Sequence, residues 1–269
     1  MKTYIINLKR STERRKHIIQ EVERQGLDYE IVEAVDGGAV PENEILRFAD
    51  MEVVSKHRDW LSNRALATSL SHLSVYKRIV AGNEDFAMVL EDDVALGNGF
   101  RSVANAVGKN LSGAEVALLH YVSFSELQLS THDSLSLDDQ HRALYPMFLE
   151  GVGSAAAYLI TQKAAQSLCD SLIPLKTAAD SWNEYLGNSF ISRIRMVDPM
   201  PVSVIGAKST IYVGTQNLFR IWLTESVDRY QVPLLSNYFR RRRLANVERM
   251  SQVCYTSSPS PFSSTNLSR

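Results

Sequence analysis

Phe86-Ala87-Met88-Val89-Leu90-Glu91-Asp92-Asp93-Val94 decides how the rest of this 269-residue chain is read. Five residues from Phe86 to Leu90 form an apolar run bounded by polar loop residues, which fits a strand inside a parallel sheet. Three carboxylates follow without a break. In open α/β sheets ligands bind outside the carboxyl ends of the strands, where these acids would emerge. Adjacent carboxylates repel one another, and a divalent cation neutralises them most simply. Hard oxygen ligands suit Mg²⁺ or Mn²⁺. The alternative is an acidic loop that is merely solvated.

Working toward the amino terminus, Asn63 to Val80 reads as a helix. Leu66, Leu70, Leu73, Tyr76 and Val80 recur along one face, and Ser71-His72 lie at the edge of that stripe. Residues 40 to 62 have no clean period and read as loop with one short helix. Before them, Tyr4 to Leu8 reads as a first buried strand. A helix follows, capped by Ser11 or Thr12 and held by Ile18, Ile19 and Val22, and Gly26 stops it. Tyr29 to Val35 is then a second strand, ending in the turn Asp36-Gly37-Gly38. This βαβ unit has basic residues after its first strand and a carboxylate after its second, which suits a nucleotide's phosphates and its ribose or base. A solvated basic helix face is the plainer reading. Neither GxGxxG nor a Walker pattern occurs.

Toward the carboxyl terminus, Gly97-Asn98-Gly99 breaks the chain before a helix to about Val107, and Val116 to Tyr121 is another strand. Residues 123 to 145 are polar and are expected to form a long lid or acceptor loop. Glu150-Gly151-Val152-Gly153-Ser154 leads into the small-residue strand Ala155 to Ile160, where backbone can approach a ligand or another element closely. Thr161 caps the next helix, which ends before Pro174. Ile194 to Val197 is a further short strand.

Charged residues make up 22% of the chain and hydrophobic residues 45%, ordinary for a globular enzyme. Net charge is −1, so no global field draws the protein to nucleic acid. Only Cys169 and Cys254 occur, too few for a disulfide framework or a thiolate zinc site. No apolar run reaches the roughly 18 residues of a membrane span, and a cytoplasmic location is expected. The charge is unevenly spread. Between Gln216 and Met250 seven arginines stand against three acids, interleaved with aromatics, while the first 215 residues carry −6. That pattern is expected of a segment lying on an anionic membrane surface; a solvated helical face and a nucleic-acid contact are the alternatives. Residues 251–269 are rich in Ser and Pro and are expected to form a disordered tail.

Four blocks occur in order: Tyr4-Ile5-Ile6-Asn7-Leu8-Lys9-Arg10-Ser11 with Arg14-Arg15, Ser69-Leu70-Ser71-His72, Val89-Leu90-Glu91-Asp92-Asp93-Val94, and Ala157-Tyr158-Leu159-Ile160. Together they resemble glycosyltransferase family 25, which includes bacterial lipooligosaccharide galactosyltransferases and collagen galactosyltransferases. The resemblance spans about residues 1–215. It implies an α/β fold of the GT-A-like, Rossmann-type kind, with a mixed sheet flanked by helices. It also implies a nucleotide-sugar donor, most often UDP-galactose, with Mn²⁺ (or Mg²⁺) and inversion to a β-linkage on a glycolipid or oligosaccharide acceptor. A lipopolysaccharide acceptor would put the enzyme on the inner face of a bacterial inner membrane. Carried over by position, Asp93 would hold the metal with Glu91, and Glu91 or Asp92 would reach the ribose or a metal-bound water. Asn7, Arg10 and Asp36 would line the nucleotide site with His72 close by. Leu8, Arg14, Ser71, Gly153 and Tyr158 are counted with the same site. The family often shows Asp-His near Asp180-Ser181, where this chain keeps only the Asp.

Inverting transfer needs charge stabilisation at the leaving diphosphate, a base for the acceptor hydroxyl, and exclusion of water. Asp180 is the expected base, with Glu150 and Glu184 as rivals and helix capping as its structural alternative. The competing reading of the whole chain is a catalytically silent glycan-binding or membrane-docking module of the same fold.

Overall fold

The computed structural model describes residues 1–205 and 253–263. The chain opens with β1 (Lys2–Asn7), α1 (Thr12–Arg24) and β2 (Asp28–Glu33). Two short helices, α2 (Glu42–Leu46) and α3 (Met51–Lys56), precede the long α4 (Asn63–Ala81). Next come β3 (Phe86–Glu91), β4 (Val94–Leu96), α5 (Phe100–Gly108) and β5 (Glu115–Leu118). Then follow β6 (Val122–Ser123), β7 (Leu127–Ser136), β8 (Arg142–Pro146), β9 (Val152–Gly153) and β10 (Ala157–Thr161). The remainder is α6 (Gln162–Ser171), α7 (Trp182–Gly187), β11 (Arg193–Asp198), β12 (Val202–Val204) and β13 (Val253–Thr256).

Nine strands form one mixed sheet in the order β13-β7-β8-β11-β5-β10-β3-β1-β2. β2, β1 and β3 are parallel neighbours, and β10 is antiparallel to both β3 and β5. β11 runs parallel to β5. The carboxyl ends of β1, β2, β3, β5 and β11 therefore share one edge of the sheet.

Strand alternation sorts the core into two layers. Tyr4, Ile6, Ala87, Val89, Val116, Leu118, Tyr158 and Ile160 face α4 and α6. Ile5, Met88, Leu90, Ala117, Ala157 and Leu159 face α1 and α5. Because helices cover both faces, the central strands read as continuous apolar runs. Each buried aliphatic side chain contributes about 1.5–3 kcal/mol over its exposed state. Helix starts follow local rules. Ser62 and Thr161 accept from Ala65 N and Ala164 N, each closing a side-chain cap. Ser11 occupies the corresponding position before α1 but makes no side-chain cap bond.

Several expectations need correction. Residues 123–145 do not form a lid; β7 and β8 pair as an antiparallel hairpin within the main sheet. The apolar alternation Leu127-Gln128-Leu129 carries that hairpin, and the Ser- and Asp-rich composition belongs to its exposed outer part. Residues 40–62 hold two helices. Of the tail expected to be disordered, Val253–Thr256 form β13, parallel to β7. Ser260 and Ser263 are fully buried there, with Ser260 Oγ donating to Pro146 O. The basic segment 216–250 and residues 264–269 lie outside the described residues. Among the described residues no helix is long and apolar enough to cross a membrane.

Candidate active site

β3 delivers its acids to the edge where β1, β2, β5 and β11 also end. Glu91 is the last residue of the strand, and its N–H still donates to Ala156 O at 2.8 Å. The next two residues turn away from the ladder and their carboxylates part company. Asp92 turns inward, where Asn7 Nδ2 donates to one oxygen at 2.7 Å and Arg14 to the other at 3.1 Å. Both oxygens are spoken for, so Asp92 ties β1 and α1 to β3. Asp93 lies 3.2 Å from the same Arg14 guanidinium through Oδ2, while its buried Oδ1 has no hydrogen-bond partner among the described residues. Burial is the main cause that pushes the Asp93 carboxyl up to about 6; the charge of Glu91 adds to this and Arg14 opposes it. A buried carboxylate oxygen without a donor is costly.

Two cavities meet at this edge. The smaller, about 110 Å³, is lined by Leu8, Arg10, Arg14, Asp36, Gly37, Gly38, Ser71, Glu91 and Asp92, among others. Arg10 pairs with Asp36, whose other oxygen accepts from Gly38 N at 2.9 Å. Ser71 Oγ accepts from Val35 N, tying the end of β2 to α4. Gly37 is required there, because a Cβ would meet Arg64 Cα at 2.8 Å and Asn63 O at 2.9 Å. The larger cleft, about 940 Å³, holds Glu91, Asp93, His120, Ser154, Asp180 and Asp198, with Trp60 and Phe124 among its apolar walls. Arg14, Thr68 and Glu91 belong to both, so the two cavities share a wall.

Asp180 faces the larger cleft, and its Oδ2 accepts from Ser154 N at 3.1 Å. Its side chain does not cap α7, the structural role weighed for it. Ser154 has φ +89, unusual for a residue with a Cβ, and Asp180, Trp182 and His120 all hold it. Strain of that kind gathers where backbone must be aimed. Gly153 serves Asp180 more directly than any ligand: a Cβ on it would meet Asp180 Oδ2 at 3.1 Å.

Of the expected site residues, Leu8, Arg10, Arg14, Asp36, Ser71, Glu91 and Asp92 line the smaller cavity, and Arg14, Glu91, Asp93 and Asp180 line the larger. Asn7, His72, Gly153 and Tyr158 are placed differently: all four are buried and none lines either cavity. His120 was missed. It follows β5 at the carboxyl edge, its Nδ1 lies 2.8 Å from Ser154 Oγ, and burial holds its pKa below the ordinary value while the charge of Glu91 opposes. The strand-end rule applied to Glu91 would have found it. Among the described residues no group of three or more His, Cys, Asp or Glu is arranged to hold a metal. Asp93 and Glu91 bring two carboxylates to the wall of the larger cleft. That number fits Mg²⁺-like ions, which take one or two carboxylates and complete their shell with substrate phosphates and water.

The family model described as "Glycosyltransferase family 25 (LPS biosynthesis protein)" matches residues 1–182. Human procollagen galactosyltransferase 2 is 31% identical over 118 residues, 42% of this chain and 19% of that protein. A putative glycosyltransferase of Haemophilus influenzae is 24% identical over 180 residues, 66% of this chain and 61% of that protein. The chain thus matches less than two thirds of the length of either relative. Among solved structures, the inositol-1-phosphate CTP transferase from T. maritima superimposes with a TM-score of 0.39 at 11% identity. It covers 78% of this chain and 93% of that one, a likeness too slight to carry weight. The family match spans β1 to the start of α7, and so takes in every residue placed at the two cavities above except those past Trp182. This chain belongs to glycosyltransferase family 25.

Proposed function

We propose that the chain is a metal-dependent inverting glycosyltransferase. It would move galactose from UDP-galactose onto a lipooligosaccharide or lipopolysaccharide acceptor, forming a β-glycosidic bond. One observation carries the reading: Glu91 and Arg14 stand in the wall shared by a small polar cavity and a large, partly aromatic cleft. A nucleotide sugar needs that division, with its nucleoside on one side of the diphosphate and its sugar on the other. In the smaller cavity Arg10 and Arg14 would meet phosphate oxygens, and Asp36 would accept from the ribose. The larger cleft would take the sugar and the acceptor, its apolar walls keeping water from the donor.

Asp93 and Glu91 are the residues that would hold Mn²⁺ or Mg²⁺. Such an ion, when bound, stabilises the negative charge that grows on the departing diphosphate. Arg14 adds a fixed positive charge at the same place, preorganised by its contacts with Asp92 and Asp93. Asp180 is proposed as the base that takes the acceptor's proton. Its anchored Oδ2 would fix the carboxylate so that the remaining oxygen can face the cleft. The galactose and lipopolysaccharide assignments lean on the names of the relatives and the family. Attachment to an anionic membrane, on the inner face of the bacterial inner membrane, leans on the arginine-aromatic composition of residues 216–250 alone.

A catalytically silent module of the same fold is the second reading. A relative named probable inactive glycosyltransferase 25 family member 3, from Rattus norvegicus, is 28% identical over 103 residues. Mass-spectrometric detection of galactose transfer from UDP-galactose to lipooligosaccharide in Mn²⁺, with Asp93→Ala as control, separates the two. Transfer that disappears in the variant supports the enzyme. Glycan binding without transfer or donor hydrolysis supports the module.

A further inference from the structure

Behind the wall shared by the two cavities, a line of polar side chains runs into an otherwise apolar layer. His72 is 1% exposed. Its Nδ1 lies 2.8 Å from the Tyr158 hydroxyl, which lies 3.0 Å from the Tyr76 hydroxyl. Both tyrosines are fully buried, and burial pushes both phenols well above their ordinary pKa, so they stay neutral. On the other side of the imidazole, Nε2 stands 3.4 Å from Glu91 Oε1. The His72 ring stacks on Tyr158 with centroids 5.8 Å apart, and Trp182 packs edge-on against Tyr158 at 5.2 Å. None of the three polar residues lines a cavity.

Burying three polar groups in an apolar layer costs free energy that apolar residues of like volume would not. Their mutual hydrogen bonds offset the cost, and the line ends at Glu91. Glu91 itself is 28% exposed and carries a side chain with three rotatable bonds. Among the described residues no other hydrogen bond or ion pair fixes the direction of its carboxylate. The Tyr158 hydroxyl at Nδ1 and the stacking of the two rings hold the imidazole so that Nε2 faces Glu91.

We propose that His72 is a positioning residue that aims the Glu91 carboxylate at the divalent cation shared with Asp93, with Tyr158 and Tyr76 bracing it from behind. The proposal rests on the metal-dependent reading given above. Holding a flexible ligand in its bound rotamer removes the entropy cost of ordering it when the ion arrives. The side chain therefore acts through Glu91 and touches no substrate.

The test is Mn²⁺ binding in the presence of UDP, followed by electron paramagnetic resonance of the free ion. His72→Leu, His72→Gln and Tyr158→Phe are compared with the unaltered chain, and thermal unfolding is recorded in chelator. His72→Leu is expected to weaken Mn²⁺ binding by about 10- to 100-fold. His72→Gln, whose amide can still donate toward Glu91, should recover most of that loss. Tyr158→Phe should fall between them, and UDP affinity in chelator should not change. A purely structural His72 would lower the unfolding temperature and leave Mn²⁺ affinity alone. A folded His72→Leu with unaltered Mn²⁺ affinity overturns the proposal, as does a His72→Gln no better than His72→Leu at equal stability. Should His72→Leu fail to fold, Tyr158→Phe decides: it removes one hydroxyl, and an unchanged affinity would sink the positioning role. If the unaltered chain takes up no Mn²⁺ with UDP, the metal-dependent reading and the proposal fall together. If it does and the variants match it, only the proposal falls.

Discussion

Glu115, a buried acid, and Asp93, a half-buried one, stand at opposite ends of the strands of one sheet and are treated in opposite ways. Glu115 opens β5 at the amino edge and is fully buried. Arg195 reaches it at 2.6 Å and Arg193 at 3.5 Å, while the Tyr145 hydroxyl and Ser112 N donate at 3.1 and 2.9 Å. Arg195 also lies over the Tyr145 ring, 4.7 Å from its centroid. Asp93 follows β3 at the carboxyl edge with one shared arginine and an oxygen that has no partner among the described residues. A satisfied buried charge is architecture. An unsatisfied one beside a cleft is a candidate for work, because the molecule tolerates its cost in the absence of any structural return.

The comparison can be broken most forcefully at Glu115. Glu115→Ala strands two half-buried guanidinium groups, and the expected loss is about 3–5 kcal/mol in urea unfolding. If stability barely moves, the amino-edge cluster is not the brace described here. Asp93→Asn should do the reverse: transfer falls about 100-fold or more, with the fold intact. Unaltered turnover in that variant would remove Asp93 from the site.

Asp93 should also show itself in the pH response of stability. Burial raises the Asp93 pKa in the folded chain above the ordinary 3.8 to about 6, so folding favours the protonated form. Its contribution to stability is full below the unfolded pKa and is lost as pH rises through the folded one. In chelator, Asp93→Asn should therefore match the unaltered chain near pH 3.5 and exceed it by up to about 3 kcal/mol at pH 7, seen in unfolding midpoints. Mn²⁺ with UDP should then restabilise the unaltered chain and leave the variant where it is. No pH-dependent gap between the two proteins would mean that the Asp93 charge is already compensated.

Asp180→Asn sharpens the base assignment, since an amide oxygen can still accept from Ser154 N. A fall of about 100-fold in kcat with donor KM unchanged is expected. An equal rise in KM would move Asp180 to substrate binding. The smallest effect belongs to the exposed Arg10–Asp36 pair. Arg10→Ala should change stability by less than about 1 kcal/mol while weakening UDP affinity several-fold by calorimetry. Loss of stability without loss of affinity would place the pair outside the nucleotide site.

Much of this arrangement was legible in the chain, because its signals are local. Tyr4 to Leu8, Phe86 to Leu90 and Ala157 to Ile160 are apolar runs that sheet interiors require, and Leu66, Leu70 and Leu73 mark a helix by spacing. Asp92 and His120 show where local signals stop. Three adjacent acids look alike in sequence, yet Asp92 turns inward to Asn7 and Arg14, 85 and 78 positions away, and Asp93 does not. His120 stood alone as a single polar residue after a strand, and only the shared edge brought it beside Glu91 and Ser154. Residues 123–145 were misread because the exposed outer part of the hairpin has the composition of a loop, and its pairing partner β11 lies some fifty residues further on.

By itself the sequence determined the strand and helix types, the family and the acidic strand end, since periodicity and ordered motifs are properties of neighbouring residues. The tertiary structure decided that β10 enters the sheet between β3 and β5, which acid is sated and which is left wanting, and that His72 meets Glu91 rather than a ligand. Those outcomes depend on distances between residues far apart in the chain. Such distances are set by how the two faces of the sheet pack, which no stretch of sequence read alone contains.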